Sequence, residues 1–247
     1  MPISVVLFDL GSTLLHFDAN PEDIYPHMDQ RLLDELTFLG YQLDAEPFLE
    51  DFVRMAKDAD DLGEETWIEI PTYEIVKTLL SKYGYPHVPE GDIRQALTGF
   101  YSVSQEYWKL ELDAIPMLKE LQRLGYRLGV ISNASDVADV QVLLERDGLL
   151  GYFEKVWISS SIGVCKPHPE IFAQALEYFQ TPAEAIAFIG DTLAADILGA
   201  DKAGMHSIWI TRRADRPENQ NLLNKIVPDF QIETLAEVPE LLSSILS

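Results

Sequence analysis

Ile3-Ser4-Val5-Val6-Leu7-Phe8-Asp9-Leu10-Gly11-Ser12-Thr13 opens with an apolar run rich in β-branched residues and stops at a carboxylate. A run of this kind suits a strand buried on both faces of a parallel sheet. Downstream of Thr13 the period changes. Ile24, Met28, Leu32, Leu36 and Leu39 recur at helical spacing, and Gly40 stands where a C-terminal cap belongs. Residues 45–60, 69–84 and 90–108 also have helical texture, and none of them carries a convincing buried strand. Residues 15–110 therefore read as a helical insert.

Beyond the insert the chain alternates. The spacing predicts helices over 116–124, 137–144, 169–179 and 194–203, with strands over 128–131, 155–158, 185–189 and 207–210. Residues 228–247 add a last short strand and a closing helix. This rhythm predicts an α/β fold, a parallel sheet with right-handed crossovers and helices on both faces. Ligands of such sheets bind beyond the strand carboxyl ends. Asp9, Ser132 with Asn133, and Gly190 with Asp191 all follow predicted strands and are expected to converge on that edge. Two carboxylates arriving there are costly to desolvate unless something pairs with them, and a divalent cation does so economically. Mg²⁺ prefers hard oxygen ligands of this type, and Asp196 is a third acidic contributor or an orienting neighbour.

Composition narrows the function classes. The 247 residues carry 41 acidic and 18 basic side chains, a formal net charge of −23, which opposes binding to nucleic acid or anionic lipid and favours small-molecule partners. The single cysteine, Cys165, excludes a disulfide scaffold and reads as a packed side chain. No apolar segment approaches the roughly 20 residues that cross a bilayer. The start of the chain has neither a basic flank nor an apolar stretch of signal length, so a cytoplasmic location is expected.

Four stretches carry a family resemblance: Phe8-Asp9-Leu10-Gly11-Ser12-Thr13-Leu14, Ile131-Ser132-Asn133, Lys166-Pro167-His168-Pro169-Glu170-Ile171-Phe172, and Ile189-Gly190-Asp191-Thr192 through Asp196. In this order they resemble the motifs of the haloacid dehalogenase (HAD) superfamily. The resemblance implies a Rossmann-like core, residues 1–14 and 111–247, with a cap domain over 15–110. It further implies a Mg²⁺-dependent phosphatase of a small phosphorylated metabolite, acting as a monomer or homodimer through an aspartyl-phosphate intermediate. Asp9 would be the nucleophile, with Ser132 and Lys166 completing the catalytic set. Leu10, Gly11, Ser12 and Asn133 would bind substrate, and Asp9, the Gly11 carbonyl, Asp191 and Asp196 would serve the metal.

One position departs from the phosphatase pattern. The second residue after the nucleophile is normally an aspartate that protonates the leaving group, and here it is Gly11. Losing such an acid costs about 10²–10⁴-fold in rate, least for good leaving groups. Gly11 therefore also raises the alternatives of carbon–halogen or carbon–phosphorus bond hydrolysis, or of non-catalytic phosphate binding. A phosphonate-cleaving enzyme needs a cap lysine for a Schiff base, for which Lys57, Lys77 and Lys82 are available. His16 is a remote substitute for the acid. Trp67, Tyr73, Tyr101, Tyr107 and Trp108 are expected to pack the cap or its hinge.

Overall fold

A computed structural model describes residues 2–213 and 215–245. In chain order, β1 (Val5–Phe8) and β2 (Leu15–Phe17) precede four helices, α1 (Pro21–Phe38), α2 (Ala45–Thr66), α3 (Thr72–Lys82) and α4 (Glu90–Gln105). Then come β3 (Trp108–Leu110), α5 (Ala114–Arg123), β4 (Arg127–Ser132), α6 (Val137–Arg146), β5 (Lys155–Ile158), α7 (Ser159–Ile162) and α8 (Pro169–Phe179). The chain closes with β6 (Ile186–Gly190), α9 (Leu198–Ala203), β7 (His206–Ile210), α10 (Pro217–Gln220), β8 (Phe230–Ile232) and α11 (Val238–Ile245).

Six strands form a parallel sheet in the order β5-β4-β1-β6-β7-β8. Because side chains alternate along a strand, the apolar run of β1 serves both faces. Val6 and Phe8 join Leu118, Leu121, Val140 and Leu143 of α5 and α6, while Val5 and Leu7 join Ile171, Phe172 and Ala175 of α8. Each fully buried Leu, Val or Phe contributes about 1.5–3 kcal/mol. The sheet is thereby clamped between helices, and β1, β4 and β6 lie side by side.

Helices α1 to α4 hold a separate apolar core that includes Leu32, Leu36, Phe48, Phe52, Leu79, Ile93 and Phe100. They connect to the sheet through a two-stranded antiparallel ribbon, β2 with β3, in which Phe17 is opposite Trp108. This ribbon departs from an all-helical insert. Helix α3 starts at Thr72 rather than at 69, because Ile68 bridges Val164 and the Glu69 N–H donates to the Gly163 carbonyl at 3.0 Å. Tertiary pairing there outcompetes local helical preference. The expected helix over 194–203 begins as a wide π turn, Leu193–Ile197, whose Thr192 carbonyl accepts from both Asp196 and Ile197 N–H. Such turns are frequent at functional sites. Among the described residues, no helix is long and apolar enough to cross a membrane.

Candidate active site

Asp9 is the first residue beyond β1, and its N–H donates to the Ile189 carbonyl of β6 at 2.8 Å. Ser132 ends β4, and Asp191 follows β6. Adjacency of these strands therefore brings the three side chains to one sheet edge. Lys166, from the loop before α8, arrives with its ammonium 2.6 Å from Asp9 Oδ1 and 2.7 Å from Asp196 Oδ1. Asp9, Lys166, Asp191 and Asp196 retain only 7%, 3%, 2% and 1% of their surface, so the charges meet out of water.

Asn133 straps this arrangement in place. Its side-chain NH₂ donates to the Lys166 carbonyl at 3.0 Å, and its Oδ1 accepts from the Lys166 N–H at 2.7 Å. Asp196 has two fixed partners, since Oδ2 accepts the Thr192 N–H at 2.9 Å while Oδ1 faces Lys166. Gly190 is required by this packing. A Cβ there would lie 2.3 Å from Asp196 Cγ, closer than non-bonded carbons approach. In the turn after Asp9, Ser12 adopts a left-handed φ of 64°, its N–H donates to the Leu15 carbonyl, and the Leu10 carbonyl accepts from Leu14 and Leu15.

One carboxylate oxygen from each of Asp9, Asp191 and Asp196 falls within 4.8 Å of the others, a spacing that can hold a metal ion. The electrostatics fit that use. Burial pushes the Asp9 carboxyl above its ordinary range and Asp196 adds repulsion, although Lys166 opposes both. Burial also raises Asp191, reinforced by Asp9 and Asp196, with Arg216 and Lys166 pulling the other way. For Lys166, burial alone would lower the ammonium, but Asp196 and Asp9 outweigh it and hold the charge on. Negative charge is in excess, and Asp191 Oδ2 makes no hydrogen bond, its one ion-pair contact among the described residues being Arg216 at 3.0 Å. A hard dication satisfies both conditions.

Three contributors escape sequence reading. The Asp191 carbonyl accepts from Trp209 Nε1 and Asn219 Nδ2, both at 2.9 Å, and Arg216 reaches Asp191 and the Ser12 hydroxyl. Trp209 reads as an ordinary apolar strand residue, and the stretch holding Arg216 and Asn219 has no periodicity to draw attention to it.

Other expectations resolve through contacts. His16 Nδ1 lies 3.0 Å from Glu111 Oε1. Cys165 is half-buried, and burial raises its thiol. Lys57, Lys77 and Lys82 are exposed and ion-paired with Asp61, Glu74 and Asp51, so none is desolvated in the way a Schiff-base amine requires. Tyr73 lies under Arg94, Tyr107 packs on Phe17, the Tyr101 hydroxyl meets Thr72, and Trp67 packs on His168. Trp108 alone of the five aromatics is the neighbour of Gly11.

The family model described as haloacid dehalogenase-like hydrolase matches residues 3–204. A phosphoserine phosphatase of Thermus thermophilus is 33% identical over 265 residues, 96% of this chain and 98% of the relative. A glyceraldehyde 3-phosphate phosphatase of Methanopyrus kandleri is 30% identical over 192 residues, 72% of this chain and 79% of the relative. In fold, the chain is similar to a 2-haloacid dehalogenase of Pseudomonas syringae, with a TM-score of 0.68 at 24% identity over 98% and 99% of the two chains. It is also similar to a magnesium-bound HAD-hydrolase of Bacillus subtilis, with a TM-score of 0.60 at 22% identity over 98% and 99%.

Proposed function

Because the chain belongs to the haloacid dehalogenase-like hydrolases, we propose that it is a Mg²⁺-dependent phosphatase of a small phosphorylated metabolite with Asp9 as nucleophile. The observation that carries this reading is the Lys166 ammonium shared between Asp9 and Asp196 beside Asp191, all buried at one sheet edge. Relatives named for phosphatase reactions, on phosphoserine and glyceraldehyde 3-phosphate, support the reaction class.

Asp9 attacks phosphorus through a carboxylate oxygen, the bond to the leaving oxygen breaks, and water then hydrolyses the aspartyl-phosphate. Lys166, anchored through its main chain by Asn133, holds Asp9 in place and presents positive charge to the phosphoryl oxygens. The Ser132 hydroxyl and the main-chain N–H groups of Leu10 and Gly11 complete the cradle. The Ser12 N–H, already given to Leu15, leaves its hydroxyl as the polar contribution of that residue. Asp9, the Gly11 carbonyl and Asp191 offer oxygen ligands that suit Mg²⁺, while Asp196, with an oxygen on Lys166 and the other on Thr192, orients them. When bound, the ion supplies positive charge that screens nucleophile from substrate.

The test is a panel of metabolite phosphates assayed with Mg²⁺ and with chelator, on wild type and Asp9→Asn. Mg²⁺-dependent phosphate release is expected from wild type, with a loss of about 10³-fold or more in the variant. Equal rates from the two proteins would overturn the reading.

A further inference from the structure

Gly11 occupies the position from which the phosphatase pattern delivers a proton, so what fills the adjoining space decides which leaving groups can depart. A Cβ built on Gly11 would meet Trp108 at 3.4 Å from Cη2 and 3.8 Å from Cζ3, with no other described atom within 4 Å outside its chain neighbours. A side chain leaving the backbone there starts in van der Waals contact with the benzo ring of the indole. Both the backbone and the ring of Trp108 have partners. Trp108 pairs with Phe17 in the ribbon, its ring stands edge-on to Phe17 at 5.3 Å, and its carbonyl accepts from Arg146 Nη2 at 2.8 Å.

Two ionisable side chains belong to the same region. His16, on the same ribbon, has Nδ1 3.0 Å from Glu111 Oε1. Asp139 shares a cavity of about 80 Å³ with Gly11, Trp108, Ser132 and Asn133, and accepts a hydrogen bond from Gln105 Nε2 at 2.8 Å. Next to Gly11, where the phosphatase pattern has a carboxyl, the surface is the flat apolar face of Trp108.

We propose that Trp108 is a specificity-determining residue that takes the acid's place and restricts the enzyme to phosphoryl compounds whose leaving group departs as a stable anion. These are acyl phosphates, phosphoanhydrides, anomeric phosphates and aryl phosphates. The inference rests on the phosphatase reading above. Asp9 forms its oxygen–phosphorus bond as the bond to the leaving oxygen breaks, and the electron pair leaves on that oxygen without a proton. Water then attacks the phosphoryl group, loses a proton to solvent, and regenerates the Asp9 carboxylate as phosphate departs.

The experiment measures kcat/KM with Mg²⁺ for nitrophenyl, phenyl and simple alkyl phosphates on wild type, Gly11→Asp, Gly11→Asp with Trp108→Ala, and Asp139→Asn. Wild type is expected to favour the nitrophenyl over the alkyl ester by about 10²–10⁴-fold beyond a phosphatase that carries the aspartate, the range a general acid supplies. Gly11→Asp alone is expected to leave that gap standing. Removing the indole as well should raise the ratio of alkyl to nitrophenyl turnover tenfold or more. A merely structural indole would move both esters together. Nitrophenyl and alkyl rates within tenfold of each other in wild type, a gap closed by Gly11→Asp alone, or selective loss of alkyl turnover in Asp139→Asn would each overturn the proposal. The wild-type profile needs no substitution, so the proposal can fail even if the double variant does not fold. Absence of any Mg²⁺-dependent turnover would sink the phosphatase reading with it, whereas a flat leaving-group profile sinks only the role of Trp108.

Discussion

Lys166, Asp191 and Asp196 surround Asp9 with charge, whereas on the ribbon side Gly11 brings no side chain and Trp108 brings an uncharged ring. The charged side is assembled from the ends of neighbouring strands and is held by reciprocal hydrogen bonds, with Asn133 on the Lys166 main chain and Asp196 on Thr192. The ribbon side is assembled from residues nearly a hundred positions apart in the chain, joined by ring packing. Burial of unlike charges makes the first side intolerant of single changes, because each removal strands a partner in a medium that solvates it poorly. Packing makes the second side adjustable, since an aromatic can be trimmed at the cost of a cavity. Chemistry common to a broad class of reactions belongs on the rigid side, and discrimination among leaving groups on the adjustable one.

The sharpest way to break this contrast is Lys166→Ala. It leaves Asp9 and Asp196 buried without their shared cation, and a loss of about 3–5 kcal/mol is expected in urea unfolding, with activity at least 10²-fold down. Wild-type stability in this variant would show that the charges are not interdependent. Gly190→Ala comes next. Its Cβ would lie 2.3 Å from Asp196 Cγ, so Asp196 must withdraw from Lys166 and Thr192. A loss of about 1–3 kcal/mol is expected by thermal unfolding, with a 10–100-fold drop in kcat. An unchanged kcat would free Asp196 of its orienting role.

The ribbon side offers a smaller, pH-dependent effect. Burial raises the Asp139 carboxyl to about 6 from 3.8, with Asp136 adding to the rise while Gln105 and Arg146 oppose it. The folded protein therefore binds a proton more tightly than the unfolded chain does. Below the unfolded value both states are protonated and nothing is lost, and as pH rises through the folded value the cost of burying the charge is fully incurred. Asp139→Asn, which keeps an acceptor for Gln105, should stabilise the protein by about 1–3 kcal/mol at pH 8, and the gain should fade toward pH 4. A gain independent of pH would assign the effect to packing instead.

Legibility in the sequence follows the same division. The apolar runs of β1 and β5 and the helix opening at Pro169 are local signals, and β5 and α8 match the expected spans 155–158 and 169–179. Asp9, Ser132 and Asp191 converge because a parallel sheet leaves the ends of β1, β4 and β6 no other place to go. What local pattern cannot carry is long-range pairing. Residues 68–69 abandon their helix for contacts with 163–164, Arg216 and Asn219 reach Asp191 from an irregular stretch, and Trp108 meets Gly11 only after the ribbon closes. An aromatic in a three-residue strand reads as packing, and nothing near it in the chain says which residue it packs against.

The proposed nucleophile is open to a single direct measurement. Wild type mixed with a turning-over phosphate ester and Mg²⁺, quenched in acid and digested, should yield a phosphoryl adduct on the peptide that carries Asp9, and Asp9→Asn should yield none. An adduct on another residue, or vigorous turnover with no adduct under any quench time, would contradict the assignment of Asp9.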